Sequence, residues 1–386
     1  MSALNLENVH KAYGKKAALQ GIDLDVEDAD FFVILGPSGA GKTTTLKSVA
    51  GLQEIDQGTV TIGGVDMTGV EPYERNVAMA FESYALYPQD TVSENLASPL
   101  RSGRFGEYSK ADMQKRIEMV TTTLGIDHLL ERFPRELSNG QRQRVALGRV
   151  LVRPAGIYLL DEPLSHLDAK LRAAMRIELK NLGSMSHTTT LYVTHDHQEA
   201  LALGDKIAVL RDGVVVQVGT PLELWRSPRD VFVSRALGQP EMNLLEATVE
   251  DGQLVAAGGA VTMSAPSHLG LATGDAAYLA VRPREIELAG TSPAADAGWV
   301  EVPGRVRLAE RLGRQIELAV AVGGTEMIVV IDSDDAPAEG ENVTIMLPHD
   351  LILVFAREPG ADPDDAPLIG PMGDPKLVVH ARTGPA

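Results

Sequence analysis

The eight residues GPSGAGKT at 36–43 constrain the fold of this chain more than any other stretch. They match the pattern G-x-x-x-x-G-K-[ST], and they follow the short apolar run FFVILG at 31–36, which is typical of a buried parallel strand. Glycines let the backbone N–H groups of such a loop surround phosphate groups, and the dipole of the following helix adds positive potential. The pattern therefore predicts a phosphate-binding loop between a strand and a helix.

Further apolar runs predict an α/β architecture for the first part of the chain. GIYLLDEP at 156–163 and TTTLYVTHD at 188–196 have the composition of buried strands, and AKLRAAMRIELKNLG at 169–183 has a helical period. Strands that alternate with helices indicate a parallel sheet. Residues 88–154 are mostly helical in pattern, so we expect a helical subdomain inserted into the α/β core.

A different pattern begins near residue 236. Short, partly alternating apolar runs separated by Gly and Asp turns follow one another, which is typical of a small β-barrel or sandwich. We therefore predict two domains, 1–236 and 237–386. The segment from about residue 357 is rich in Pro, Gly and Asp, and it is expected to be a loose tail.

Composition excludes several classes of site and partner. The 386 residues include no cysteine, so disulfides and thiolate metal sites are excluded. A net charge of −18 and only 4% aromatic residues argue against a nucleic-acid partner. The sequence shows no apolar signal segment and no run of 18 apolar residues, so we expect a soluble, cytoplasmic protein.

Charged residues at the ends of the predicted strands suggest phosphate chemistry. Lys42 is placed to reach the β- and γ-phosphates of a nucleotide, and Thr43 to ligate Mg²⁺. Asp161 is predicted to hold Mg²⁺ through water, Glu162 to act as general base on the attacking water, and His195 to contact the γ-phosphate. The predicted nucleotide-binding residues of the loop are Gly36, Pro37, Ser38, Gly39, Ala40, Gly41, Lys42, Thr43 and Thr44.

The order of these motifs resembles that of ATP-binding cassette (ABC) transporter ATPases. The phosphate loop is followed by LSNGQRQRVALGR, LLDEPLSHLD and VTHD. The stretches VVQVGTPLELW, EMNLLEATV and VRPREIEL are similar to the importer subgroup with an OB-like (TOBE) regulatory domain, which includes maltose and glycerol-phosphate transporter ATPases. The resemblance implies an α/β P-loop NTPase, with a RecA-like core and an inserted helical subdomain, followed by the all-β OB-like domain.

The resemblance also implies a dimer that shares its ATP molecules. Two cassettes pair head to tail, as a homodimer or a heterodimer, and the signature residues of one chain face the γ-phosphate bound by the other. Tyr13 would stack on adenine, and Asp168 would lie in a loop that crosses the dimer interface. The signature residues are Leu137, Ser138, Asn139, Gly140 and Gln141.

Membrane partners follow from the same resemblance. Two permease subunits would contact the segment SYALYP at 83–88, near Glu82, through their coupling helices. They would hold the chain at the cytoplasmic face of the membrane and link it indirectly to an extracytoplasmic solute-binding protein. ATP and Mg²⁺ are the expected cofactors.

Three positions depart from the family pattern. Glu82 stands where Gln is usual, Asn139 where Gly is usual, and His166 where Asn is common. A carboxylate at Glu82 can still ligate Mg²⁺, because hard cations prefer oxygen, so Glu82 joins the predicted catalytic and metal-binding residues. In an assembled dimer, Glu82 would act on the nucleotide of its own chain and Asn139 on that of the partner.

The hypothesis from sequence is the ATPase subunit of a binding-protein-dependent importer of sugars or related polyols. Alternatives are an importer of another solute, such as a polyamine, iron(III) or sulfate, and a weakly hydrolysing half of a heterodimeric pair. A non-transport ABC protein is disfavoured, because the chain has one cassette, no long coiled-coil insertion and a strongly acidic balance.

Overall fold

The computed structural model of the protein describes residues 2–81, 83–101, 106–186, 188–289, 298–333 and 337–373. The chain divides into two units, residues 1–221 and 222–386. Short 3-10 turns lie at Pro72–Glu74, Asp127–Leu129, Pro134–Glu136, Ala257–Gly259, Ser267–Leu269, Pro283–Glu285, His349–Leu351 and Pro363–Asp365.

The first unit holds two sheets and most of the helices. Its strands are β1 Ser2–Tyr13, β2 Lys16–Glu27, β3 Phe31–Leu35, β4 Gln57–Ile62, β5 Val65–Asp66, β6 Val77–Ala80, β7 Ile157–Asp161, β8 Thr189–Thr194, β9 Lys206–Arg211 and β10 Val214–Gly219. Its helices are α1 Lys42–Ala50, α2 Val92–Arg101, α3 Lys110–Thr123, α4 Asn139–Leu151, α5 Ala169–Ser186 and α6 His197–Leu203, and α7 Pro221–Arg226 begins at its last residue.

The central sheet of this unit has the strand order β10-β9-β3-β8-β7-β6. β3, β7 and β8 are buried along their whole length, which is why each reads as a continuous apolar run in the sequence. β8 pairs in parallel with both β3 and β7. The loops that follow these three strands therefore leave the same edge of the sheet, side by side.

A second, antiparallel sheet with the order β2-β1-β4-β5 completes the core of the first unit. Its buried side chains, such as Leu4, Ile22 and Val60, pack with Phe32 and Ile34 of β3 and with Leu46 of α1. This packing fixes the position of the loop between β3 and α1 from the side of β2.

The stretch 88–154 carries helices α2, α3 and α4 between β6 and β7. Their packing requires a close approach at Gly148, where an added Cβ would lie 3.1 Å from Leu96 Cδ2 and from Leu124 Cδ1. The buried side chain of Asn95 accepts a hydrogen bond from the amide of Tyr87 and donates to Tyr87 O, which ties the chain before α2 to this helix.

The second unit is built mainly of strands. They form two sheets, β13-β12-β11-β14-β20-β21 and β15-β19-β16-β17-β18, whose inward-facing residues share one apolar core. The elements are α8 Val231–Ala236, β11 Asn243–Glu250, β12 Gln253–Ala256, β13 Val261–Ser264, β14 Ala276–Val281, β15 Glu287–Leu288, β16 Trp299–Leu312, β17 Gln315–Val322, β18 Thr325–Asp332, β19 Asn342–Pro348, β20 Leu353–Ala356 and β21 Leu368–Pro371.

The division between the units comes before the boundary that the sequence pattern placed at 236/237. Helix α8 belongs with the strands of the second unit, because Val231 packs with Tyr278 and Phe355. Arg235 Nη1 also lies 2.6 Å from Asp364 Oδ1. A helical pattern cannot indicate which core its apolar face will join. The change from helical to strand pattern therefore lies after α8, while the division between the units lies before it.

The segment predicted to be loose is ordered over its first part. Residues 368–371 form β21, which pairs with β20, and the amide of Ala356 donates to Pro367 O at 2.9 Å. Pairing with a neighbouring strand overrides the Pro-, Gly- and Asp-rich composition here. Residues 374–386 lie outside the described part of the chain.

Candidate active site

The loop between β3 and α1 is enclosed by backbone on two sides. A Cβ at Gly36 would lie 2.4 Å from Leu210 O, and a Cβ at Gly41 would lie 2.6 Å from Ala18 O. Gly41 also has a φ of +106° and sits at the N-cap of α1. Only glycine satisfies both requirements at Gly41. The first amides of a helix lack intrahelical partners, which suits the start of α1 to bind phosphate oxygens.

Lys42 is the buried cation of this loop, with a side chain that is 6% exposed. Its Nζ donates to Gly36 O at 2.9 Å and Pro37 O at 3.0 Å, and it lies 3.8 Å from Glu162 Oε1. The side chain of Lys42 thus folds back onto its own loop. The oxygens of a bound phosphate can replace the two carbonyl acceptors of its ammonium group.

Thr43 and Asp161, two of the predicted metal-binding residues, are in contact in the structure. The hydroxyl of Thr43 donates to Asp161 Oδ1 at 2.9 Å, and Asp161 is 3% exposed at the end of β7. In the described part of the chain, no group of three or more His, Asp or Glu side chains is arranged to hold a metal ion. Mg²⁺ usually takes only one or two ligands from the protein, and phosphate oxygens and water complete its coordination. The hydroxyl of Thr43 and the carboxylate of Asp161 fit this ion.

Glu162 follows β7 with an uncommon backbone conformation, φ +46°. Its amide donates to Val193 O of β8 at 3.0 Å, and its carbonyl accepts from Ser165 Oγ at 3.0 Å and from Gln143 Nε2 at 3.4 Å. A left-handed backbone at a residue other than glycine stores strain and is often found at functional sites. These contacts hold the strained residue from β8, from the following loop and from α4.

His195, at the end of β8, reaches the carboxylate of Glu162. Its Nδ1 lies 2.9 Å from Glu162 Oε2, so a neutral ring that carries its proton on Nδ1 donates to the carboxylate. Nδ1 is thereby occupied, and Nε2 is the remaining ring atom, which donates to a phosphate oxygen only when it also carries a proton. The sequence predicted that Lys42, Asp161, Glu162 and His195 share one edge of the sheet, and the structure brings them together there.

Ser138 and its neighbours form a separate exposed surface at the start of α4. The Ser138 hydroxyl accepts from the amide of Gln141 at 3.3 Å, and Gln141 Oε1 accepts from the amide of Ser138 at 2.9 Å, which is a capping box. The Asn139 side chain accepts a hydrogen bond from Arg142. A Cβ at Gly140 would lie 3.3 Å from Leu167 Cδ2, so this surface touches the loop that precedes α5. Leu137 is buried.

The other predicted site residues make local contacts. Tyr13, at the end of β1, is 49% exposed and donates to Gln53 Oε1 at 2.8 Å. Asp168 Oδ1 accepts from the amide of Leu171 at 2.9 Å and caps α5. The rings of Tyr84 and His166 pack edge to face at 5.7 Å. Glu82 lies outside the described residues.

Sequence reasoning missed Gln143. Its side chain is 4% exposed on α4, and it reaches Glu162 O while its own Oε1 has no hydrogen-bond partner among the described residues. Only packing shows that Gln143 lies on the buried face of α4, two residues after Gln141, so the sequence alone carried no signal for it. A buried polar side chain on an otherwise apolar helix face requires a partner.

Known proteins match this chain over both units. The ABC transporter family model matches residues 19–165, and the TOBE domain model matches residues 279–355. The chain is 44% identical over 319 residues to the sn-glycerol-3-phosphate import ATP-binding protein UgpC of Psychromonas ingrahamii, with 82% of each chain covered. The chain belongs to the ABC transporter family.

Two further comparisons support the ABC assignment. The trehalose/maltose import ATP-binding protein MalK of Thermococcus litoralis is 38% identical over 372 residues, covering 93% of this chain and 99% of that protein. A solved structure described as a dimeric post-hydrolysis state of the ATP-binding cassette MJ0796 bound to ADP and Pi has a TM-score of 0.53 and 30% identity. It covers 56% of this chain and 98% of that chain.

These findings confirm the predicted family, the P-loop fold class with its C-terminal TOBE domain, and the activity. The chain is an ABC ATPase that binds and hydrolyses ATP. In the described part of this ABC ATPase, no helix is both long and apolar enough to cross a bilayer. The roles of the individual side chains stay predictions.

Replacing Tyr13 by alanine is expected to raise the KM of this ABC ATPase for ATP roughly fivefold and to leave kcat nearly unchanged. Base stacking on an aromatic ring stabilises binding by about 1 kcal/mol and does not change the bond that breaks. Steady-state phosphate release at varied ATP measures both constants. Tyr73→Ala, at another exposed tyrosine, is the matched control, and an unchanged KM for Tyr13→Ala would contradict the stacking role.

Proposed function

We propose that this ABC ATPase energises a binding-protein-dependent membrane importer, and that the solute is a sugar or a related polyol such as glycerol phosphate. The proposal is supported by the names of the relatives, which are import ATP-binding proteins for sn-glycerol-3-phosphate and for trehalose and maltose. It is also supported by the TOBE match in the second unit, which accompanies the cassette in this chain.

We propose further that two cassettes share each ATP molecule. The proposal is supported by two candidate anion-binding surfaces that one chain presents. The first surface is formed by Lys42, Thr43 and Glu162 at the edge of the sheet. The second is at the start of α4, where Ser138 is exposed and its hydroxyl accepts a hydrogen bond from the amide of Gln141. A helix N-terminus without an acidic first turn favours an anion. That anion would be the terminal phosphate on the partner's loop.

In the closed dimer, each residue of the edge takes a distinct role. Thr43 and Asp161 would hold Mg²⁺, which would neutralise negative charge on the phosphates. Lys42 donates to the same phosphates. Glu162 accepts the proton of the attacking water, and His195, which donates to Glu162, keeps the carboxylate aligned with the γ-phosphate. Hydrolysis then removes the phosphate that both chains bind, and the dimer loosens.

The permease contact is proposed at residues 83–88. Tyr84 and Ala85 have positive φ values of 66° and 46°, and Tyr87 is exposed with the guanidinium of Arg149 5.2 Å from its ring centroid. A strained, exposed segment that adjoins both the edge of the sheet and α4 suits a coupling helix of a membrane partner. This contact would place the chain at the cytoplasmic face of the membrane.

Reconstitution with the permease and binding proteins of the same transport system tests the solute. We expect sn-glycerol-3-phosphate, maltose or trehalose to stimulate phosphate release several-fold, because solute binding closes the cassettes. Stimulation by spermidine, iron(III) or sulfate, with no response to sugars or polyol phosphates, would contradict the proposed solute class. Hydrolysis only after addition of a second, different cassette would show a heterodimer.

A further inference from the structure

A buried carboxylate lies on the helix that follows His195. Glu199 of α6 is 2% exposed, and its Oε2 accepts hydrogen bonds from the hydroxyls of Tyr192 and Thr194, each at 2.8 Å. Burial raises the pKa of Glu199, and the two hydroxyl donors oppose that rise. A buried carboxylate of this kind calls for a cation nearby, and none of the residues assigned to ATP so far provides it.

Arg172 provides the cation from the first turn of α5. Its Nε lies 4.0 Å from Glu199 Oε1, its Nη1 donates to Asp196 Oδ2 at 3.3 Å, and its Nη2 donates to Leu167 O at 3.1 Å. Nε is buried without a hydrogen bond among the described residues, so its attraction to Glu199 is ionic. The planar guanidinium thus joins the segment before α5 to the segment 196–199, which is distant in the sequence.

The segments that Arg172 joins both belong to the proposed ATP machinery. Asp196 directly follows His195, and Leu167 directly precedes Asp168. Leu167 also faces the start of α4, since its Cδ2 would lie 3.3 Å from a Cβ at Gly140. A continuous set of contacts therefore runs from the surface of Ser138 and Gly140, through Leu167 and Arg172, to the loop that carries His195.

We propose that Arg172, held in place by Glu199, is a positioning residue for ATP hydrolysis. It fixes the loop of His195 relative to the loop of Asp168, so that contact of the partner's nucleotide with the start of α4 aligns His195 with this chain's own ATP. Arg172 acts through His195 and does not itself contact the nucleotide. The inference rests on the proposed role of His195, and the experiment separates the two.

The first test compares Arg172→Met, Arg172→Lys and the control Arg176→Met, on the same helix, in the full-length chain assembled with its permease. Loss of alignment predicts a kcat that falls roughly 10- to 100-fold, with KM for ATP and the affinity for ATP unchanged. Lysine is expected to restore little, because a point charge cannot replace the donors of the guanidinium. A parent-like kcat for Arg172→Met would overturn the proposal.

A double-mutant cycle with His195→Ala gives the decisive result. If Arg172 acts through His195, the double variant hydrolyses ATP about as fast as His195→Ala alone. Multiplied losses would overturn the inference while leaving the role of His195 intact. A parent rate for His195→Ala would overturn both. Should Arg172→Met fail to fold, Glu199→Gln, which keeps the hydrogen-bond acceptor and removes the charge, enters the same cycle with the same expected non-additivity.

Discussion

The Glu162→Gln variant is expected to hydrolyse ATP roughly 10²–10⁴-fold more slowly than the parent chain, the usual contribution of a general base. The introduced amide would keep an oxygen for the hydrogen bond from His195, but it cannot accept the proton of the attacking water. ATP binding should persist, because the phosphate loop and Lys42 are unchanged, and the loss of the carboxylate 3.8 Å from Lys42 Nζ takes no cation away from the triphosphate. The variant should therefore accumulate as an ATP-bound dimer.

Phosphate release and light scattering with and without ATP measure these two effects separately. Glu250→Gln removes an exposed carboxylate at the end of β11 and serves as the control. Hydrolysis by Glu162→Gln at the parent rate would show that another group takes the proton. Slow hydrolysis without an ATP-dependent dimer would keep Glu162 as the base and contradict the shared site.

Lys42→Ala is expected to have the second large effect, a loss of kcat/KM for ATP of roughly 10²–10³-fold, the usual worth of a preorganised group that stabilises developing charge. The ammonium group is buried at the loop, within hydrogen-bond distance of Gly36 O and Pro37 O. Its removal takes the buried cation away from the triphosphate. Unlike Glu162→Gln, this variant should bind ATP weakly and remain dissociated in its presence.

Lys47→Ala is the matched control for Lys42→Ala, since Lys47 is a cation in the last turn of the same helix. Titration with a fluorescent ATP analogue measures the affinity, and thermal unfolding confirms that both variants fold. An unchanged affinity for Lys42→Ala would mean that the loop binds the triphosphate through its backbone amides alone.

The residues at the carboxyl edge of the central sheet were predictable, because each one follows a strand that is visible in the local sequence. A buried parallel strand appears as an apolar run, and the residue after the run must leave the sheet at its carboxyl edge. Asp161, Glu162 and His195 were therefore found from two runs, and Lys42 and Thr43 from a third. Their convergence required only that β3, β7 and β8 be neighbours, which the structure shows.

The supporting contacts were not predictable, because they join segments that are far apart in the sequence. Gln143 reaches the carbonyl of Glu162 from α4, and Arg172 reaches Asp196 from α5. Their residue types are common on helix surfaces, and only packing shows that these two face inward. The same reason explains α8 and β21, whose places depend on the partners they pack against, such as Phe355 and Val354, and not on local composition.

A structure of the Glu162→Gln variant with ATP and Mg²⁺ would show whether two chains share each ATP molecule. The distance to measure joins Ser138 Oγ of one chain to the terminal phosphate of the ATP bound at Lys42 of the other. We expect a hydrogen bond, about 3 Å or less, at both composite sites. A dimer in which Ser138 Oγ is far from every terminal phosphate, while ATP occupies both loops, would contradict it.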